Sequence, residues 1–127
     1  MANMRRPRGQ EYRQVAITDD FGKSWSDVSN DLTLIESGCQ GSFINYESKK
    51  KSLLIFSNPA DKEERKNLVV RISNNEGKSW QKELPIYEGS AAYSCLTQLP
   101  NGNLGLLYEA DDNKKIVFVE IPYQDLF

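Results

Sequence analysis

Tyr93 and Glu109 lie near the start and at the end of two apolar runs, Tyr93–Leu99 and Leu104–Tyr108, separated by Pro100-Asn101-Gly102-Asn103. Asn-Gly between apolar runs predicts a β-hairpin with a tight primed turn, because those residues tolerate positive φ. Such a hairpin brings a phenol and a carboxylate to one end, opposite the turn, and that pairing suggests a site. The chain has 0 histidines, which removes Ser-His-Asp triads, Cys-His pairs and imidazole bases. Catalysis on this chain therefore has to use carboxylates, tyrosines and arginines. A phenol with a pKa near ~10 needs a neighbouring base before it becomes a nucleophile at neutral pH.

Arginine is the third chemistry-bearing type. Arg5, Arg6, Arg8 and Arg13 cluster around Pro7 and Gly9, and Arg65 follows later. The N-terminal group reads on its own as a solvated loop, as a basic arm, or as a single arginine aimed into a site. A nucleic-acid partner is disfavoured, since the net charge is −2 and no binding module is recognisable. With 127 residues, 39% hydrophobic and 27% charged, the chain fits one globular domain. No apolar run approaches the roughly 18 residues that span a bilayer, and no signal-like apolar segment follows the basic N-terminus. Nothing here assigns a compartment. Cys39 and Cys95 are too few for a thiolate metal cage and read as two buried free thiols; no metal or organic cofactor is implied.

The elements that must position these residues are short and β-like: Gln14–Thr18, Leu32–Glu36, Gly41–Tyr46, Ser52–Ser57, Asn67–Ser73 and Lys115–Ile121. The last alternates poorly, which predicts cover on both faces. Lys49-Lys50-Lys51 reads as a solvated turn, and no helical period is sustained except in the last few residues. Two strands lead into matching turns. Ile17 begins ITDDFGKSW and Ile72 begins ISNNEGKSW, so Ser/Thr-x-Asp/Asn-x-Gly-x-x-Trp recurs at 18–25 and 73–80. The Asx side chain is expected to accept turn amides, the Gly to supply positive φ, and the Trp to fold back as an apolar plug. A spacing of 55 residues (73 minus 18) lies in the range of propeller blades. The expected fold is all-β, with roughly two to three four-stranded blades of a propeller. Two or three blades cannot close a ring, so the chain reads as part of a larger protein.

These residues resemble the sialidase (neuraminidase) superfamily. The repeated turns are similar to its Asp boxes. Asn3-Met4-Arg5 resembles the segment bearing the second arginine of its carboxylate-binding triad, and Cys39-Gln40-Gly41-Ser42 its CQGS strand. Glu64-Arg65-Lys66-Asn67-Leu68, after Phe56-Ser57-Asn58-Pro59, resembles the segment bearing the third arginine. Ala92-Tyr93-Ser94-Cys95-Leu96 through Leu107-Tyr108-Glu109 resembles the nucleophile hairpin. Asn75 departs from the usual Asp and Thr18 from the usual Ser, and both keep the turn chemistry.

The resemblance implies a six-bladed propeller, with residues 1–127 forming the C-terminal part of one domain. It implies an exo-α-sialidase that removes terminal sialic acids from glycoproteins, glycolipids or oligosaccharides with retention, through a covalent intermediate at Tyr93. Arg5 and Arg65 would grip the substrate carboxylate bidentately, and Glu109 would orient the family's first triad arginine. That arginine, the acid/base aspartate and the glutamate that activates the tyrosine lie upstream of the second arginine in the family, so the rest of the propeller is expected there and these residues alone are expected to be inactive. A non-catalytic Asp-box segment for carbohydrate binding or structure is the alternative, and transfer of sialic acid is a third reading.

Overall fold

Residues 1–48 and 51–127 are described by the computed structural model; Lys49 and Lys50 of the expected lysine turn lie outside them. Among the described residues nine strands run in chain order: β1 Ala2–Met4, β2 Tyr12–Ala16, β3 Ser29–Ile35, β4 Ser42–Glu47, β5 Ser52–Pro59, β6 Lys66–Ser73, β7 Lys82–Gln98, β8 Leu104–Ala110 and β9 Lys115–Ile121. A 3₁₀ turn over Tyr123–Leu126 follows. Strands β1–β3 form one antiparallel sheet, and β4 through β9 pair in chain order in a second. All these pairs are antiparallel neighbours along the chain, the connectivity expected of a meander. The all-β expectation therefore holds.

The 17-residue β7 joins two units. Its first part pairs with β6, from Lys82 opposite Ile72 to Ser90 opposite Lys66. Its second part pairs with β8, from Ala91 opposite Ala110 to Gln98 opposite Leu104. The first half is not legible as a strand in the sequence, because KELPIYEG carries Pro85 and Gly89, residues depleted in sheets. The shared core holds Tyr46, Leu53, Ile55, Leu68, Val70, Ile72, Leu96, Leu104 and Leu106, all buried. Each such aliphatic side chain contributes roughly 1.5–3 kcal/mol over leaving it exposed.

Four expectations need correction. The Asn101-Gly102 connection is not a two-residue primed turn. Leu99 N–H donates to the Asn103 carbonyl (2.9 Å), enclosing three loop residues. Only Gly102 among them takes positive φ, +85°, which is the turn-plus-bulge form of a three-residue hairpin. Strand β9 is not covered on both faces: it lies at the sheet edge, with Ile116 68% and Phe118 53% exposed. Cys39 is buried, but Cys95 is exposed, because its alternation along β7 turns it away from the core. Finally, Met1–Arg13 is a solvated loop only in its middle, where Pro7, Arg8, Gly9, Gln10 and Glu11 are exposed; its ends contribute β1 and the start of β2, and Arg13 is buried.

Candidate active site

Tyr93 sits on an irregularity of β7. Between Ala91 and Ser94 three steps on β7 oppose two on β8, from Ala110 to Tyr108. One residue is thus extra, a β-bulge that bends the strand and re-aims its side chains. The N–H freed at Tyr93 donates to Glu109 Oε2 (3.1 Å), so the carboxylate replaces a ladder partner. The Tyr93 side chain remains 44% exposed. The hairpin does bring Tyr93 and Glu109 to one end, but their link runs through the Tyr93 backbone and not the phenol.

The residues after Tyr93 are clamped from the neighbouring unit. Gln40 binds Ser94 twice: its Oε1 accepts the Ser94 N–H (3.0 Å) and its Nε2 donates to the Ser94 carbonyl (3.1 Å). Ser42 Oγ accepts the Leu96 N–H (2.9 Å). The Ser94 hydroxyl, buried, pairs with the Ser57 hydroxyl at 2.8 Å. A primary amide thus acts as a strand partner for the backbone just past the bulge. In the sequence Gln40 and Ser42 stand out only as parts of the CQGS resemblance, with no role assigned, because such a long-range amide contact leaves no periodic signal.

Arg65 lies beside the bulge. Its guanidinium carbon is 5.8 Å from the Tyr93 ring centroid, within cation–π range. Its Nη2 donates to the Gly38 carbonyl (3.2 Å), and its own carbonyl accepts the Ala91 N–H (2.9 Å). Arg5 follows β1 and is exposed. Its segment is held from below by a buried ion pair, Arg13 Nη1 to Glu36 Oε2 at 2.6 Å. Glu36 Oε1 accepts the Arg6 N–H (3.1 Å), and Arg13 Nη2 donates to the Asn3 carbonyl (3.3 Å) while its Nε donates to Asn3 Oδ1. Arg13 also donates to the Cys39 carbonyl (3.1 Å) and stacks 5.0 Å over the Phe56 ring. Burial lowers the Arg13 pKa, and Glu36 opposes it through charge and hydrogen bonding. Removing either partner of such a pair leaves a buried charge uncompensated, so Arg13 and Glu36 fix where Arg5 stands.

Arg5 and Arg65 converge electrostatically on Cys39. Burial pushes its thiol pKa up, and the two guanidiniums, Arg65 first, pull it back. Tyr93, Glu109, Gln40, Cys95 and Ile116 line an open hollow of about 320 Å³ on one side of the bulge. Arg65 also borders a polar cleft of about 500 Å³ that Ala92 of the bulge helps to line. The structure thus brings a phenol, a carboxylate and one guanidinium together at Tyr93, Glu109 and Arg65, while Arg5 is linked to them, among the described residues, only through the charge it shares with Arg65 on Cys39. Among the described residues no group of three His, Cys, Asp or Glu side chains could hold a metal ion.

Comparison with known proteins points the same way. The BNR repeat-like domain model matches residues 1–106. A sialidase of Bacteroides fragilis is 42% identical over 118 residues, covering 87% of this chain and 22% of the relative. The solved structure of a Hadza microbial sialidase superposes with a TM-score of 0.84 at 34% identity, covering 98% of this chain and 25% of the other. An intramolecular trans-sialidase from Ruminococcus gnavus gives a TM-score of 0.76 at 26% identity, with 98% and 30% covered. The chain therefore spans about a quarter of the length of the proteins it resembles.

Proposed function

This chain belongs to the sialidase family of BNR-repeat proteins, and we propose that it supplies the nucleophile hairpin and two carboxylate-binding arginines of an exo-α-sialidase acting on sialylated glycans. The bulge at Tyr93 carries the reading. It releases the tyrosine from ladder geometry, Glu109 satisfies the freed N–H, Gln40 holds the next residue, and Arg65 stands over the ring.

Sialic acid bears its carboxylate on the anomeric carbon. Arg65 and Arg5 would hold that group with charge-assisted hydrogen bonds. A neutral phenol approaches this anionic centre without the repulsion a carboxylate nucleophile would meet. In the first displacement the Tyr93 oxygen bonds to the anomeric carbon as the bond to the aglycone oxygen breaks. The phenol proton passes to a base, and the departing oxygen takes a proton from an acid. Neither group is among the residues assigned here. In the second displacement a water or acceptor hydroxyl replaces the tyrosine, giving net retention. The free Oε1 of Glu109 is left to orient a further arginine.

The test is a chimaera in which this chain replaces the matching segment of the Bacteroides fragilis sialidase. It is expected to cleave a fluorogenic sialoside, and Tyr93→Phe to lower turnover by about 10³-fold or more, as loss of a nucleophile does. Undiminished turnover by the Phe variant would overturn the assignment. The 127 residues alone are expected to give no hydrolysis.

A further inference from the structure

Among the described residues, the second half of β7 pairs with β8 along one edge and with no strand along the other. Ser94 stands opposite Tyr108 on β8, yet its N–H and its carbonyl both go to the Gln40 side chain, and the Leu96 N–H goes to Ser42 Oγ. Side chains at the start of β4 thus replace the missing ladder. At the other end of the same edge the direction reverses: Gln98 Oε1 accepts the Glu47 N–H (3.2 Å) and its Nε2 donates to the Glu47 carbonyl (2.7 Å). Two primary amides therefore bridge the same pair of segments, each gripping one residue by both of its backbone polar groups. One grip lies next to Tyr93 and the other beside the Asn101-Gly102 turn.

The grip at Tyr93 is also tied to Arg65. Gln40 belongs to residues 38–42, where the Gly38 carbonyl accepts from Arg65 Nη2 (3.2 Å) and the Cys39 carbonyl from the buried Arg13 (3.1 Å). Gly41 has to be bare: a Cβ there would stand 2.6 Å from the Phe56 ring and 2.8 Å from the Ser57 carbonyl oxygen. That same carbonyl accepts the Ser94 hydroxyl (3.3 Å). The segment thus lies directly on β5, holding the guanidinium with one residue and the strand after the bulge with another. Before the bulge, the Arg65 carbonyl accepts the Ala91 N–H (2.9 Å). Tyr93 is left between two fixed points, Ala91 and Ser94, with its own N–H on Glu109.

A bulge is one extra residue, and its place along a strand depends on which backbone groups find partners. Without the amide at Ser94, the bulge loses the contact that fixes its register, while Arg65 keeps its hold on Gly38. The phenol would then shift against the guanidinium, and a misplacement of about 1 Å at a reacting atom costs roughly 10²-fold in rate. We propose that Gln40 is a positioning residue for the Tyr93 oxygen, setting its spacing from Arg65 and so acting on the chemical step and not on substrate binding. This rests on the sialidase reading. Gln98 makes the same bonds at the far end of the strand and has no such role.

The test compares Gln40→Leu with Gln98→Leu in the chimaera that carries this chain, alongside Tyr93→Phe. Gln40→Leu is expected to lower kcat about 10²-fold and to leave KM within about twofold of the parent, since the arginines are untouched. Gln98→Leu is expected to leave both constants within about twofold. Gln40→Asn keeps an amide one methylene short and is expected to lose an intermediate amount of kcat. Urea denaturation scales each rate to the folded fraction. In the full chain, Gln40→Leu is expected to move the Tyr93 and Glu109 amide shifts, and Gln98→Leu to leave them in place. An unchanged kcat in Gln40→Leu, equal losses in the two glutamine variants, or a loss confined to KM would overturn the positioning role, while a dead Tyr93→Phe keeps the sialidase reading. Full turnover by Tyr93→Phe would sink that reading and this proposal with it.

Discussion

The two Asx turns are nearly superimposable in their bonding and quite different in their surroundings. In the first, Thr18 Oγ1 donates to Asp20 Oδ1 (2.8 Å) and accepts the Gly22 N–H (2.9 Å), while Asp20 Oδ1 accepts the Ser24 N–H (2.9 Å). In the second, Ser73 Oγ donates to Asn75 Oδ1 (2.9 Å) and accepts the Gly77 N–H (2.9 Å), and Asn75 Oδ1 accepts the Ser79 N–H (3.0 Å). Both turns place two successive residues at positive φ, Phe21-Gly22 and Glu76-Gly77. The tryptophans then part company. Trp25 is 50% exposed. Trp80 packs against Phe43 and Phe56, with ring centroids 6.3 and 6.2 Å away, and its indole N–H donates to Asp31 Oδ2 on β3 (2.9 Å). The turn is a local object that its own side chains close; the plug is a tertiary contact and exists only where something lies against the indole.

Trp80 therefore does what Trp25 does not: it ties the β1–β3 sheet to the second sheet, on the same Phe56 that Arg13 stacks over. Trp80→Ala is expected to destabilise the chain by about 3 kcal/mol, the lower end for truncating a large aromatic because Trp80 is only half-buried. Trp25→Ala is expected to change stability by about 0.5 kcal/mol or less, as surface substitutions do. Urea denaturation of both variants checks this, and equal losses would show that the indole belongs to the turn after all.

The next contrast is electrostatic. Hydrogen bonds from the Ser24 hydroxyl, then the Ser24 amide, then Thr18 hold the Asp20 carboxyl down at about 2, from an ordinary 3.8. A depressed folded-state pKa contributes stability that is present above the unfolded value and lost as pH falls through the folded one. The first turn is therefore expected to loosen between about pH 4 and pH 2, whereas the second, built on an amide, has no proton to gain at Asn75. Following the Ser24 and Ser79 amide shifts against pH reads this directly. A Ser24 midpoint near 2 is expected; one near the ordinary 3.8 would show that the hydrogen bonds do not favour the ionised carboxylate.

Much of the fold is legible in the sequence because strands that alternate and turns that need Gly, Asn or Asp leave local marks. Strand β9 matches its expected bounds, and β4, β5 and β6 lie within two residues of theirs. The turn chemistry at Thr18–Ser24 and Ser73–Ser79 is likewise local and readable down to its donors and acceptors. What is not readable depends on residues far apart in the chain. The burial of Arg13 needs Glu36 and Cys39, the clamp on Ser94 needs Gln40 across 54 positions, and the exposure of Trp25 and β9 depends on what packs nearby. In the site, the hairpin pattern points to Tyr93 and Glu109, and only the family resemblance points to Arg5 and Arg65. The bulge at Tyr93 is hidden, since one extra residue in an apolar run does not disturb its composition.

The smallest predicted effect is the sharpest test of the comparison. Asn75→Asp would make the second turn chemically like the first. Asn75 Nδ2 now donates to Ser79 Oγ (2.8 Å), and a carboxylate cannot donate. The Ser79 hydroxyl can rotate and donate instead, as Ser24 Oγ does to Asp20 Oδ2 (2.6 Å), so one hydrogen bond is exchanged for another. The new charge sits beside the exposed Glu76, a like charge, which offsets the gain from a charge-assisted bond. At neutral pH the variant is expected to match the parent within about 0.5 kcal/mol. On acidification its Ser79 amide is expected to acquire the transition seen at Ser24, because the introduced carboxylate now has a proton to take up. If the amide stays flat while that carboxylate titrates normally, the equivalence of the two turns fails at the point where their geometry makes it look strongest.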